Sequence, residues 1–330
     1  MRLLLISRFL APLTLTAALL LHGCTGTAPS TSPEAVASSA VSSAATGKVQ
    51  VTHSRGTSEV PARPQRVVVF DLSSLDTLDA LDVKILGVAG KLFPKHLQKY
   101  AGQEYPKVGT LFEPDYEALN AANPDLIIVG GRSAAKYDEL AKLAPTIDLS
   151  ITDDDYMGSA RKNAATLARL FGKEDQAELR LNKLASSVEA LKGKAQGAGK
   201  ALIILTTGGK MSAYGPGSRF GTLHTEFGLV PAVEGLKVGR HGEPVSFEFL
   251  AKTNPDWLFV VDRDAAIGES GTSAKVLLDN PLVNGTTAAQ KGQIVYLDPA
   301  NWYLAGGGLA TLQAMTDEVS QALDRTTKAP

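Results

Sequence analysis

The sequence has one cysteine, almost no excess charge and, after its first 21 residues, no long apolar run. A single cysteine excludes an internal disulfide and a cysteine metal cluster. The 33 basic and 34 acidic residues leave a net charge of −1, so the chain lacks the basic field of a nucleic-acid-binding protein. No later apolar run approaches the roughly 20 residues of a membrane-spanning helix. A site for an anionic ligand would therefore have to be built locally.

Motifs of common enzymes are also missing. The chain contains no Gly-x-Ser-x-Gly nucleophile elbow, no phosphate-binding loop and no candidate catalytic thiol. Only four histidines follow the N-terminal region, namely His53, His96, His224 and His241. That number is small for a protein that binds bare zinc or manganese through several converging side chains. We therefore expect a binding protein rather than an enzyme.

The N-terminus has the pattern of an export signal. Two arginines accompany an apolar run over residues 9–21, which is about the length of a signal-peptide core. The run ends in Leu-His-Gly-Cys at 21–24, which resembles the lipobox of bacterial lipoproteins except that His22 replaces a small residue. We predict a signal peptide at 1–23, lipidation of Cys24, and a location in the periplasm or on the outer face of the cytoplasmic membrane. An ordinary signal peptide with an incidental cysteine is the alternative.

The segment after Cys24 is composed of small and polar residues. Residues 24–47 are mainly Ser, Thr, Ala, Pro and Gly, which cannot bury enough apolar surface to fold. We interpret them as a flexible tether. The remaining chain is large for one hydrophobic core and suggests two lobes.

Short apolar runs recur along this remaining chain. Continuous rather than alternating apolar residues indicate strands that are buried on both faces, with helices between them. This pattern predicts an α/β fold. The five runs lie at 67–70, 126–129, 201–205, 258–261 and 294–297.

One stretch occurs twice with an offset of 131 residues. Asn-Pro-Asp at 123–125 precedes an apolar run and Arg132, and Asn-Pro-Asp at 254–256 precedes an apolar run and Arg263. Similar residues lie upstream of each copy, at 116–119 and 247–250. Two copies predict two similar Rossmann-like lobes with a ligand cleft between them.

A long helical pattern separates the two copies. Apolar residues at helical spacing over 174–192 predict a helix of roughly 28 Å, at 1.5 Å per residue. Such a helix would join the lobes as a rigid strut with modest hinge motion. We predict an N-terminal lobe at 48–172, the connecting helix at 173–196 and a C-terminal lobe at 197–330.

Arg132 and Arg263 are the first candidate site residues. Ligands of open α/β sheets bind beyond the carboxyl ends of the strands, where both arginines are expected. Arginine stays charged and binds oxyanions through a planar fork. The alternative is that each arginine forms a structural ion pair, for example Arg263 with Asp262.

Two loops complete the candidate site. Residues 212–221 are rich in glycine and contain Arg219, with His224 five residues later. Residues 298–308 place Trp302 and Tyr303 before three glycines, a pattern that could present a phenol to the cleft. Taken alone, a lone histidine and a lone tyrosine are more often structural.

Taken together, these segments resemble the periplasmic ferric-siderophore-binding proteins of iron-uptake ABC transporters. Within that family the chain is most similar to the branch that handles catecholate siderophores such as petrobactin and enterobactin fragments. The resemblance covers nearly the whole folded part. It depends on the order and spacing of the segments 131–132, 217–224, 261–263 and 297–304.

The resemblance implies a role for each candidate residue. Arg132, Arg219 and Arg263 would face the catecholate oxygens, and His224 and Tyr303 would ligate ferric iron where the siderophore supplies only four donors. Two exposed glutamates, Glu117 and Glu248, would dock on the membrane subunit of an ABC transporter. The protein would need no cofactor of its own, would bind ferric iron as the siderophore complex, would be held at the membrane by its lipid, and would act as a monomer.

Other functions are compatible with parts of the pattern. Arginines would also suit a ferric carboxylate chelate such as ferric citrate, although His224 and Tyr303 favour a chelate with open iron sites. A cobalamin binder would not need three arginines. A siderophore esterase lacks its motif, and a structural or adhesive lipoprotein would leave the placement of the arginines unexplained.

Overall fold

The computed structural model describes residues 47–236, 239 and 241–326. The predicted signal peptide, Cys24 and nearly all of the predicted tether lie outside the described residues. Among residues 47–236, 239 and 241–326, none of the helices combines the length and the apolar composition of a membrane-spanning segment.

The N-terminal lobe is built on a parallel sheet. A hairpin, β1 (Lys48–His53) and β2 (Gly56–Pro61), precedes it. The sheet has the order β4-β3-β5-β6 and all of its pairs are parallel. Its strands are β3 (Val67–Val69), β4 (Gly87–Val88), β5 (Leu126–Val129) and β6 (Thr146–Asp148). The helices are α1 (Leu72–Ala80), α2 (Tyr116–Ala122) and α3 (Tyr137–Leu140), with 3-10 turns at Lys95–Ala101 and Ala134–Lys136.

Two long helices follow, α4 (Tyr156–Phe171) and α5 (Glu174–Ala195). The sequence indicated α5 as the strut between the lobes. Helix α4 contacts both lobes, because Met157 and Ala160 pack into the core of the C-terminal lobe while Leu167 and Leu170 pack into the core of the N-terminal lobe. The apolar face of one helix is thus shared by both cores.

The C-terminal lobe has a mixed sheet of order β10-β8-β7-β11-β12, with β9 paired to β7. Strands β7, β9, β11 and β12 pair in parallel, and β8 and β10 extend the sheet in antiparallel fashion. Its strands are β7 (Lys200–Thr207), β8 (Lys210–Tyr214), β9 (Val230–Pro231), β10 (Glu243–Val245), β11 (Trp257–Asp262) and β12 (Ile294–Tyr296).

Short helices connect these strands, and a long one closes the chain. They are α6 (Thr222–Thr225), α7 (Phe247–Thr253), α8 (Arg263–Ile267), α9 (Ala274–Leu277), α10 (Pro281–Asn284), α11 (Thr287–Gln290), α12 (Pro299–Tyr303) and α13 (Leu309–Thr326). The predicted α/β fold with two lobes is confirmed, and each of the five apolar runs forms a strand.

The repeated Asn-Pro-Asp has the same conformation in both lobes. Asn123 ends α2 with φ 45° and Asn254 ends α7 with φ 43°. Asparagine tolerates this left-handed conformation better than most residues do, and the following proline cannot continue the helix. The side chain of Asp125 accepts hydrogen bonds from the backbone of residues 65 and 66, and that of Asp256 accepts one from the backbone of Lys200. Each copy therefore fixes its helix against the neighbouring strand.

Candidate functional site

A cleft of about 720 Å³ lies between the lobes. Both lobes contribute to its walls, because the carboxyl ends of the two sheets point toward it, as expected for open α/β sheets. The N-terminal lobe contributes Phe112 and Arg132, and the C-terminal lobe contributes Arg219, His241 and Tyr303.

Tyr303 is the residue on which the three predicted arginines converge. The ring centre of Tyr303 is 5.1 Å from the guanidinium carbon of Arg132, 4.5 Å from that of Arg219 and 5.8 Å from that of Arg263. These distances are typical of cation–π contacts. Residues separated by up to 171 positions in the chain thus form one cationic cluster.

The hydrogen bonds of this cluster are shared between the main chain and the phenol. Tyr303 is the last residue of α12, so its carbonyl oxygen has no partner within the helix. Arg132 Nη2 donates to that oxygen at 2.6 Å and Arg219 Nη2 donates to it at 3.0 Å. Arg263 Nε donates to the phenol oxygen at 3.1 Å.

The cluster changes the acidity of Tyr303. Burial raises the pKa of the phenol, but the hydrogen bond from Arg263 and the charges of Arg219, Arg132 and Arg263 outweigh burial and lower the pKa below its ordinary value. A lowered pKa makes the phenolate, which is a hard oxygen ligand, easier to form.

The pKa of a second tyrosine in the cleft shifts in the opposite direction. Tyr156, the first residue of α4, lines the cleft. Burial raises its pKa to about 12, although the charge of Arg219 acts against this shift. Tyr156 is therefore harder to deprotonate than an ordinary tyrosine.

The loop that carries Arg132 is held in place by a chain of hydrogen bonds to polar side chains. Gly131 adopts φ 52°, a conformation that favours glycine, and its N–H donates to Ser150 Oγ at 2.9 Å. The hydroxyl of Ser150 in turn donates to Asp148, whose second carboxylate oxygen accepts from Arg55 Nε at 3.2 Å. Burial and the neighbouring Arg219 lower the pKa of the Arg132 guanidinium, so an anionic ligand would relieve the repulsion between the two.

Arg263 does not pair with Asp262, the alternative that the sequence left open. Asp262 caps α8 by accepting from Ala265 N at 3.1 Å, and it also accepts from Ala274 N at 2.8 Å. Arg263 Nη1 instead lies 3.6 Å from Asp264 Oδ1 and 3.6 Å from Glu269 Oε2. Its charge is therefore partly balanced within its own lobe.

Arg219 lies in the predicted glycine-rich loop. At Gly221 a Cβ atom would lie 2.8 Å from the backbone nitrogen of Gly217 and 3.0 Å from the carbonyl oxygen of Gly215. The compact turn thus requires glycine at this position. The turn directs the Arg219 side chain over Phe220 and Tyr303.

His224, the predicted iron ligand, is not among the residues that line the cleft in this structure. His224 lies on the one-turn helix α6, is 8% exposed, and has its Nδ1 2.9 Å from the carbonyl oxygen of Leu229. Burial lowers its pKa, against the effect of this backbone contact. His224 is a core residue because the turn after α6 folds the chain back over it.

His241, which sequence reasoning did not single out, lines the cleft instead. It is exposed and lies just before β10. The sequence did contain one indication that His241 could lie near the cleft. The Glu-Pro pair that follows it at 243–244 matches Glu-Pro at 113–114 in the first repeat, where Phe112 also reaches the cleft.

Glu117 and Glu248 occupy the same position in the two lobes. Each is the second residue of its helix, α2 or α7, and each is exposed. Hydrogen bonds from Ser246 and from its own backbone lower the pKa of Glu248. Both helices present a carboxylate to solvent at matching points of the repeat.

Comparison with known proteins agrees with this architecture. The family Peripla_BP_2, described as periplasmic binding protein, matches residues 67–300. The chain belongs to the periplasmic binding protein family. Membership implies an exported protein, and the relatives below are named as binding proteins.

Individual relatives are similar over most of the chain. The petrobactin-binding protein YclQ of Bacillus subtilis strain 168 is 42% identical over 270 residues, which is 81% of this chain and 85% of YclQ. The crystal structure of YclQ matches with a TM-score of 0.82 at 40% identity, over 84% of this chain and 99% of the crystallised chain. The periplasmic catecholate-siderophore binding protein VctP of Vibrio cholerae matches with a TM-score of 0.79 at 32% identity, over 83% of this chain and all of VctP (100%).

Proposed function

We propose that this periplasmic binding protein captures an anionic ferric catecholate siderophore and delivers it to the membrane subunit of an ABC transporter for iron uptake. The observation that carries the proposal is the convergence of Arg132, Arg219 and Arg263 on Tyr303; Tyr303, Arg132 and Arg219 line the cleft, and Arg263 contacts Tyr303 from its own lobe. The names of YclQ and VctP, which refer to petrobactin and to catecholate siderophores, point to the same class of ligand.

The charge of the cleft suits such a ligand. A ferric tris-catecholate carries about three negative charges, and three guanidinium groups would offset them by charge-assisted hydrogen bonds. Each such bond contributes on the order of 1.5–3 kcal/mol. The overall charge of −1 makes this local cluster the decisive electrostatic feature.

Tyr303 and His241 are the proposed iron ligands for a siderophore with four donor atoms. Ferric iron is a hard ion that prefers oxygen ligands, and the arginines already favour the phenolate of Tyr303. An imidazole is also a common ligand of iron, and His241 lines the same cleft. Iron is the cargo here and arrives inside the siderophore.

Delivery and location complete the proposal. Glu117 and Glu248 would dock on arginines of the transporter, and lipidation of Cys24 with the tether 24–47 would hold a monomeric protein at the membrane. The division into lobes at 48–172 and 197–330, joined through 173–196, also belongs to this proposal.

The direct test is a titration of the purified protein that follows quenching of tryptophan fluorescence, since Trp302 lines the cleft. The titrants are the ferric complexes of a tetradentate and a hexadentate catecholate, and ferric citrate. Tight binding of a ferric catecholate is expected. If the protein binds ferric citrate but none of the ferric catecholates, its ligand is a ferric carboxylate chelate.

The histidines provide a matched pair of variants. His241→Ala should weaken the tetradentate complex about tenfold, a loss of about 1.4 kcal/mol, and leave the hexadentate complex unchanged. His224→Gln should leave both affinities unchanged, because His224 lies outside the cleft. The reverse result would restore His224 as the iron ligand.

A further inference from the structure

Phe112 is a large apolar side chain at the edge of the cleft. It is 59% exposed and lines the cleft from the N-terminal lobe. Single exposed apolar residues are common on protein surfaces, so its exposure alone indicates nothing. Its place beside a cationic site, where a bound ligand would cover the ring, is the informative feature.

The turn that carries Phe112 is firmly held. Thr110 Oγ1 accepts from the backbone of Phe112 at 3.2 Å and from that of Glu113 at 2.9 Å, and Thr110 N donates to Glu113 O at 2.8 Å. The Glu113 side chain lies 2.9 Å from Lys136 Nζ, at the end of the 3-10 turn Ala134–Lys136 on the same side of the cleft. The backbone that carries the ring is therefore held in one conformation before ligand binds, which lowers the entropic cost of using the ring.

The second repeat has no ring at this point. When the two Glu-Pro pairs are aligned, Phe112 corresponds to Gly242. Gly242 adopts φ 68°, and a Cβ there would lie 2.8 Å from the Tyr214 ring. At this aligned position the aromatic ring is thus present in the N-terminal lobe alone.

We propose that Phe112 packs against an aromatic ring of the bound chelate and so selects aromatic over aliphatic ferric chelates. This inference deepens the proposed function and depends on it. The arginines cannot make this selection, because a guanidinium fork binds carboxylate and catecholate oxygens alike. A flat apolar surface distinguishes them, since offset or edge-to-face contacts between rings add to the burial of apolar area, and citrate has no ring.

The test compares the affinities of the full-length protein for two probes, the ferric complex of a tetradentate bis-catecholate and ferric citrate. Phe112→Ala should weaken the catecholate complex about tenfold and change the citrate affinity by less than about twofold, which separates the two probes by roughly 1 kcal/mol. Phe112→Tyr, which keeps the ring, should retain the catecholate affinity. Leu143→Ala removes another exposed apolar side chain (42% exposed) outside the cleft and should change neither affinity.

The outcomes distinguish a failure of the inference about Phe112 from a failure of the proposed function. Equal losses for both probes, or no loss for either, would overturn the role of Phe112 and leave the proposed function intact. A wild-type protein that binds no ferric catecholate would overturn both. Circular dichroism of each variant checks that the fold is retained.

Discussion

The two lobes contain copies of the same repeat. The copies are alike on the side away from the cleft and differ on the side that faces it. On the outer side the copies are nearly identical, with a seven-residue helix, an exposed glutamate in its first turn and a left-handed asparagine at its end. On the cleft side they diverge. Arg132 extends from a glycine loop to the backbone of Tyr303, whereas Arg263 begins a capped helix and contacts the phenol.

The difference shows how a duplicated unit can build an asymmetric site. In the described part of the chain the hydrogen bonds of Arg132 go to the backbone oxygens of Tyr303 and Leu304, and its charge is repelled by Arg219 and attracted by Asp71. Arg263 shares its charge with Asp264 and Glu269. The outer faces, which would meet two similar transporter surfaces, stay alike.

The largest expected effect tests the similarity of the outer faces. Replacing both Glu117 and Glu248 by alanine should abolish uptake of iron from the ferric catecholate by cells that depend on this protein, because each lobe loses its docking carboxylate. Each single variant should lose a similar part of the uptake. Binding of the purified double variant to the siderophore should be unchanged.

Glu178, which is exposed on the connecting helix α5, is the matched control. Glu178→Ala should support normal uptake. Uptake that persists in the double variant would remove the docking role from both glutamates.

The next effect tests the asymmetry of the cleft. Arg132→Ala should weaken binding of the ferric catecholate by roughly tenfold to a hundredfold, from the loss of a charge-assisted hydrogen bond. Arg263→Ala should weaken it less, because part of its charge is already balanced by carboxylates. Isothermal titration of the two variants measures the difference.

Arg180→Ala provides the control for a lost positive charge, because Arg180 is exposed on α5. It should leave the affinity unchanged. Equal losses for Arg132→Ala and Arg263→Ala would show that the two repeats contribute alike.

The smallest effect concerns the phenol that Arg263 contacts. At a pH below the lowered pKa of Tyr303 the phenol is protonated, so iron must displace a proton and affinity for the tetradentate complex rises with pH. Above that pKa the rise stops. Tyr303→Phe should lose this pH dependence and weaken the tetradentate complex about tenfold, with no effect on the hexadentate complex.

Tyr296→Phe, on the edge strand of the C-terminal sheet, should retain the pH dependence. A Tyr303→Phe variant whose affinity still rises with pH over the same range would exclude the phenolate as an iron ligand. Tyrosinate absorbance during a pH titration of the ligand-free proteins gives an independent measure of the pKa.

Local patterns were sufficient for the architecture. Continuous apolar runs became the central strands because a strand covered on both faces must be apolar throughout. The doubled Asn-Pro-Asp segment predicted two similar lobes because a repeated sequence indicates repeated structural units. Antiparallel β8 and β10, whose sequences lack a continuous apolar run, were not predicted.

The site was only partly predictable. Arg132, Arg219, Arg263 and Tyr303 come together, but their neighbour Trp302 is 2% exposed and donates to Glu318 in the core. Trp302 borders the cleft but lies largely in the core, whereas the ring of Tyr303 contacts the three arginines. The sequence also could not show which histidine lies in the cleft. His224 packs inside the fold, whereas His241 lines the cleft.

By itself the sequence determined the α/β class, the duplication and the chemical type of the cleft residues, because periodicity, helix ends and side-chain charge are local properties. Only the tertiary structure decided which residues share the cleft and how their charges are balanced. Gly307 and Gly308 illustrate the reason, since a Cβ at either position would lie 1.7 Å from Ile151 or 2.1 Å from Asp76. Such close contacts depend on segments far apart in the chain, and no local pattern contains them.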